Sequence, residues 1–296
     1  MKRFFGWLLL VCACQGFALG QKKRAKRPAP PAPAKMPAPT PAPVAPLPAP
    51  APEVVAPVAQ EPQKPKPVIF GESEKPAAKL PSADEILARY FKADGTAAAK
   101  EKLKTRISTG SFEIVGTGIS GSVAVYQKAP NLSYTEVELP QLGTFLQGYD
   151  GQFGWAKDPI NGLRNLNGAE LSQARVAAQF NPSDAQKLYG KVVVQSLEVV
   201  NNREVYALIA TLEGGNVALY FDKETGLLSR SDADADGPGG TRLPLQSYYD
   251  DYRDLDGVKV PFALRVVNPT FTVEMKFLQV KHNVEVDDKK FQRPMR

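Results

Sequence analysis

Asp232, Asp234 and Asp236 alternate along the chain and Gly237 follows them, as in the opening half of a calcium loop. A twelve-position loop begun at Asp232 would need a bidentate acid at position 243, and Leu243 stands there. The flanking residues read as strand, so an EF-hand is excluded and the stretch is expected to be an acidic loop leading into the tip Gly237-Pro238-Gly239-Gly240. Asp222 and Glu224 could form an acid–base pair, but Asp222-Lys223-Glu224-Thr225-Gly226 lies between two apolar runs and reads as a hairpin turn. Asp250, Asp251, Asp254 and Asp256 raise the same question and receive the same answer. His282 is the only histidine, and both cysteines, Cys12 and Cys14, lie at the extreme N-terminus. A triad or a conventional zinc site needs partners that the rest of the chain lacks. Neighbours Lys281 and Asn283 suggest that His282 ends an exposed strand. No phosphate loop or dinucleotide fingerprint appears, because Gly116-Thr117-Gly118-Ile119-Ser120-Gly121 is not followed by a helix. These residues argue against an enzyme and call for no metal or cofactor.

The charge is unevenly spread. Residues 1–79 hold twelve Lys/Arg and four Asp/Glu, whereas 80–296 hold 25 and 27, a net charge of −2. Such a balance offers no nucleic-acid surface. Met1-Lys2-Arg3, the apolar run Phe4 to Val11 and the small residues of Ala18-Leu19-Gly20 read as a signal peptide over 1–20. A second reading takes Val11-Cys12-Ala13-Cys14 as a lipobox that would anchor the chain through Cys14. Both place the protein in the periplasm or cell envelope. A basic, Pro/Ala-rich spacer is expected over 21–79, with sixteen prolines in positions 28–67. Its basic start could rest on anionic headgroups or wall polymers.

Folded sequence is expected from 80 to 296. Ser82-Ala83-Asp84-Glu85 is a capping box, and Ile86, Leu87, Tyr90 and Phe91 follow at helical spacing. A further helical turn or two is expected over 97–104. After Arg106 the period becomes two, and helical sequence returns only over 168–189, interrupted at Asn181-Pro182. The fold class is mainly β (α+β), a large curved antiparallel sheet of about eleven strands, since short connections force a meander and long sheets must coil. Several strands are apolar on both faces, so the helices should pack on the inner one.

Three motifs then line up in order. Gly121 to Asn131 (GSVAVYQKAPN), Tyr149 to Trp155 (YDGQFGW) and Val286 to Pro294 (VDDKKFQRP) resemble the LolA/LolB-like lipoprotein-carrier superfamily. The resemblance implies an unclosed half-barrel with a helical lid over an apolar cavity, and a lipid, an acyl chain or an acylated protein as partner. It also implies that Val123 and Val125 face inward, because they share the parity of Ala129. At Ala129 the chain departs from the pattern, since the soluble carrier has there an arginine that latches the lid. Arg106 is another group that could serve. The cavity residues expected are Val123, Val125, Tyr134 and Trp155, with Tyr126, Tyr206 and Tyr220 as further aromatic candidates. The function expected is lipid or lipoprotein binding by a monomer. The alternative is a non-catalytic envelope scaffold with a filled core.

Overall fold

The computed structural model describes residues 80–180, 189–212, 215–236 and 242–295. The leader, the spacer, Asn181-Pro182 and the tip Gly237 to Gly240 lie outside the described residues.

Helix α1 (Ala83–Asp94) starts on the expected capping box. The amide of Glu85 donates to Oγ of Ser82 at 3.2 Å, and the amide of Ser82 donates to Oε2 of Glu85 at 2.7 Å. Two orphan donors are thereby satisfied, an effect of about 1 kcal/mol. Ile86 and Leu87 are buried, and Tyr90 and Phe91 pack beside them. The short α2 (Ala97–Lys102) is capped by Thr96. Its Lys100 turns back to pair with Asp94 at 2.8 Å and to donate to the carbonyl of Phe91.

One antiparallel sheet of thirteen strands follows. The first wing is a meander of β1 (Thr105–Ile114), β2 (Ile119–Lys128), β3 (Leu132–Leu139), β4 (Gly143–Tyr149), β5 (Gly154–Asp158) and β6 (Gly162–Asn165). It runs from the middle of the sheet to one edge. Helix α3 (Gly168–Ala177) then leaves that edge, and the chain resumes at the other with β7 (Val192–Val200). The second wing continues through β8 (Arg203–Leu212), β9 (Gly215–Asp222), β10 (Leu228–Asp236) and β11 (Arg242–Leu255). It closes with β12 (Val258–Val267) and β13 (Thr272–His282), which pairs with β1. The outermost strands β6 and β7 do not meet, so the sheet is unclosed. This is the half-barrel that the LolA/LolB-like resemblance implied.

Strands β1 and β2 are joined by a tight turn in which Gly116 and Gly118 take φ of 78° and 73°. The strand count exceeds the expected number of about eleven chiefly through β6. Strand β6 has only four residues, too few for a period to register. It is placed by Asp158, whose Oδ1 accepts from the amides of Ile160 and Asn161 and turns the chain.

The helices cover one face of the sheet, the inner one. Ala174 and Ala178, at the end of α3, pack with Phe112, Val123, Phe145 and Met275. Ile86 and Leu87 of α1 pack with Leu208, Leu219 and Phe221 of the second wing. On the outer face of the first wing, Tyr134 and Trp155 pack with Val286 and Phe291 of the C-terminal segment.

Candidate functional site

The cross-strand register of the first wing arranges inner-face residues in rows. Gly110, Val123, Val137 and Phe145 stand level across β1 to β4. Two residues along, the row becomes Ser108, Val125, Thr135 and Gln147; two further, it becomes Arg106, Gln127, Ser133 and Tyr149. Side chains at i and i+2 share a face, so the same inner surface passes from apolar to polar along the strands.

At this change of character lies a cavity of ≈ 280 Å³. Its floor includes Ser108, Val125, Thr135 and Gln147, while Tyr90 of α1, Val176 of α3 and the following Gln179 form its roof. The second wing closes it with Leu228, Tyr249, Tyr252, Val260 and Leu264. Asp251 has a positive φ of 51°. That break in strand alternation lets both Tyr249 and Tyr252 border the cavity. A second cavity of ≈ 610 Å³ shares Leu228, Tyr249, Tyr252 and Lys259 with the first and reaches Asn201 and Thr225 in the hairpins beyond.

Arg106 is the charged centre of the polar end. Its Nε donates to Nε2 of His282 at 2.9 Å, Nη1 is 3.5 Å from Oε1 of Gln127, and the guanidinium lies 5.3 Å from the ring centre of Phe180. Because Nε2 of His282 accepts, its Nδ1 carries the proton and donates to Oδ2 of Asp256 at 2.8 Å. The imidazole is therefore neutral. Burial lowers the His282 pKa, Arg106 adds to the lowering, and the Asp256 bond opposes it. Burial likewise lowers the Arg106 pKa, against the attraction of Asp94. His282 is thus no exposed strand end; its side chain is 2 % exposed.

Besides the packing of Ala174 and Ala178, two polar contacts among the described residues hold the α3 segment to the first wing. Glu170 accepts from both Nη1 and Nη2 of Arg164 at 2.7 Å, and it is buried. The amide of Phe180 donates to the carbonyl of Pro130 at 3.0 Å. Ala129 contributes only its methyl group to the cluster around Phe180, while Arg106 lies against that ring.

The expected cavity residues separate. Val125 borders the cavity, and Val123 is buried one row away in the apolar core. Tyr134 and Trp155 lie on the opposite face, which corrects their expected place. Tyr134 pairs across the sheet with Tyr126, whose parity is opposite to that of Val125. Trp155 Nε1 donates to the carbonyl of Phe291 at 2.9 Å. Its indole lies over Gly148, where a Cβ would come within 2.4 Å of the ring, so only glycine fits. Tyr126 belongs to this outer cluster and Tyr220 to another, while Tyr206 packs under α1.

The acidic alternation is also corrected, because Asp232 to Asp236 belong to β10. Asp232 is 3 % exposed, and its carboxylate accepts from Nε and Nη2 of Arg230 and from the Tyr220 hydroxyl. Arg230 lies over the rings of Tyr220 and Tyr248 at 4.7 and 5.5 Å. Burial raises the Asp232 pKa while Arg230 pulls it down. The cluster is a partnered charge in the sheet. Asp222 caps its turn as expected, accepting from the amides of Glu224 and Thr225.

Sequence reading missed Ser108, Thr135 and Gln147, and named Arg106 only as a group that could latch the lid. A signal existed: Ser108 has the parity of the buried Phe112, Thr135 that of Val137 and Gln147 that of Phe145, each at a position where an apolar residue is expected.

Among solved structures similar to this chain is a DUF1329 family protein from Desulfovibrio piger. It is 15% identical, the match covers 70% of this chain and 97% of that one, and the TM-score is 0.46. Another is a LolA superfamily protein from Nitrosomonas europaea, 13% identical over 72% of this chain and 98% of that one, with a TM-score of 0.47. No protein-family model and no curated protein matches the chain.

Proposed function

We propose that this is an exported cell-envelope protein that binds a lipid, an acyl chain or the acylated end of a protein between its sheet and its helices. The observation that carries the reading is the cavity under α1 and α3, bordered by Val125, Val260 and Leu264 and sharing Leu228, Tyr249, Tyr252 and Lys259 with a second cavity. Binding would be burial, about 0.8 kcal/mol for each methylene removed from water, with no covalent step and no cofactor. At ≈ 280 Å³ the inner cavity lies just below the usual range of about 300–1,000 Å³ for ligand sites. A long chain would therefore extend into the second cavity or lift α3. Residues 1–20 would direct export, and 21–79 would hold the domain away from its attachment or lie on an anionic surface. Intact mass of the exported protein separates cleavage before Gln21 from lipidation of Cys14.

A scaffold reading is favoured by one observation: much of the inner face is already filled, with Phe112, Phe145 and Met275 at 0–1 % exposure. Native mass spectrometry of protein purified from membranes decides between them. Retained lipid released on denaturation supports the carrier. Protein that is always empty, and whose melting is unmoved by added acyl ligands, supports the scaffold.

A further inference from the structure

We infer that the outer edge of β7 is the docking site of Val68-Ile69-Phe70, which adds a short strand there and leaves 21–67 as the spacer. The inference is independent of what the cavity binds. A strand at the end of a sheet presents unpaired amides and carbonyls along one side, and native folds blunt or cover such edges. At one end of this sheet the edge is blunt, because β6 has four residues, among them Gly162 and Arg164. At the other end β7 has nine, VVVQSLEVV, with no proline or lysine and one charge, Glu198. Among the described residues β7 pairs with β8 alone. A bulge lies between Val194 and Ser196, and past it Leu197 stands opposite Tyr206 and Val199 opposite Glu204. Tyr206 packs under α1, so Leu197 and Val199 share the inner face, with 40% and 68% exposure. Val193, before the bulge, stands opposite Ile209 and is exposed on the outer face. The edge is therefore apolar on both faces.

The chain itself supplies the occupant. Within 21–79, Val68-Ile69-Phe70 is the one run of three large apolar residues, and it holds that stretch's only isoleucine and only aromatic residue. Such side chains suit a pleated, half-buried strand, and Pro67 and Gly71 bound the run. The parity also fits, since Val68 and Phe70 fall on one face as Leu197 and Val199 do, with Ile69 on the other. The described chain begins at Leu80, which packs on the apolar cluster that also takes Val192 and Val194 of β7. It therefore enters the fold beside this strand. Ten residue steps separate Phe70 from Leu80, a reach of up to roughly 35 Å, whereas the nine residues of β7 extend about 30 Å. Phe70 can thus reach the whole edge. A second copy of the chain could pair there as well, but a tethered segment meets the edge at a far higher effective concentration.

Residue-resolved hydrogen exchange on the full chain tests this. In the native protein, the β7 amides that point away from β8 should exchange at least about tenfold more slowly than in a Val68→Asp/Phe70→Asp double variant. Amides of β9 should exchange alike in both, and the circular-dichroism spectrum should be unchanged, since the substitutions lie outside the described domain. Val199→Asp, on the edge itself, should reproduce the loss of protection. The slow exchange of the native edge should not depend on protein concentration. Fast exchange at the edge of the native protein overturns the inference, and so does slow exchange that survives the double substitution. Slow exchange lost on dilution assigns the edge to a second copy of the chain and overturns it too.

Discussion

Both faces of the first wing are covered in part, and among the described residues a cavity borders the inner one. On the outer face, Tyr134 and Trp155 meet Val286 and Phe291, and large rings fill the layer. Lys290 closes it with its ammonium 4.4 Å from the ring centre of Tyr126. On the inner face the same strands present Ser108, Thr135 and Gln147, and α3 meets the sheet through the small Ala174 and Ala178. Large rings against an apolar segment complete a core; small and polar side chains against a helix leave room. Aromatic residues in a strand protein therefore point first to a packed layer.

The strongest way to break this comparison is Trp155→Ala. It removes the largest ring of the outer layer and the bond to Phe291, and it should destabilise the protein by about 3–5 kcal/mol in urea unfolding. Ligand affinity per folded molecule should stay unchanged. A folded Trp155→Ala variant that no longer binds would move the site to the outer face.

Val125→Glu is the converse. Val125 is only partly buried and borders the cavity, so the fold should survive while binding of apolar ligands falls at least about tenfold. A circular-dichroism spectrum like that of the native protein is the required control. Undiminished binding would show that the cavity is not the site.

Glu170→Gln sharpens the contrast between a glued layer and a hinged one. It leaves Arg164 facing a neutral amide where a bidentate carboxylate stood. Because Arg164 keeps 20% side-chain exposure, the expected loss is about 1–2 kcal/mol, short of that for a fully buried pair. Hydrogen exchange should quicken in Gly168–Ala177 and stay slow at Trp155. Uniform quickening would mean that α3 is part of the global core.

The smallest effect is the pH dependence of the polar end. Burial holds the His282 pKa below its ordinary 6.5, so its neutral form is favoured in the folded state. The stability it contributes is present above pH 6.5 and is lost as pH falls through the lowered value. Protonation would also end its acceptance of the Arg106 bond. His282→Gln should flatten the acid limb of the melting-temperature profile between about pH 7 and 5. An unchanged limb would assign that loss to carboxylates elsewhere.

Local chemistry made much of this protein legible in its sequence. The capping box at Ser82, the turn built by Asp222 and the period of two in strands such as Val258–Val267 depend on residues a few positions apart, so they could be read directly. The inward parity of Val123 and Val125 followed from the motif that contains them. What covers each face was decided by tertiary structure alone. Trp155 is bonded to Phe291, 136 residues away, and Arg106 to His282, 176 away. When a strand is apolar on both faces, alternation divides its residues into two sets but does not say which set meets a helix and which meets the C-terminal segment. The same limit misplaced Asp232. Its charge suggested a loop until Arg230 on its own strand and Tyr220 on the next supplied the partners that let a carboxylate be buried.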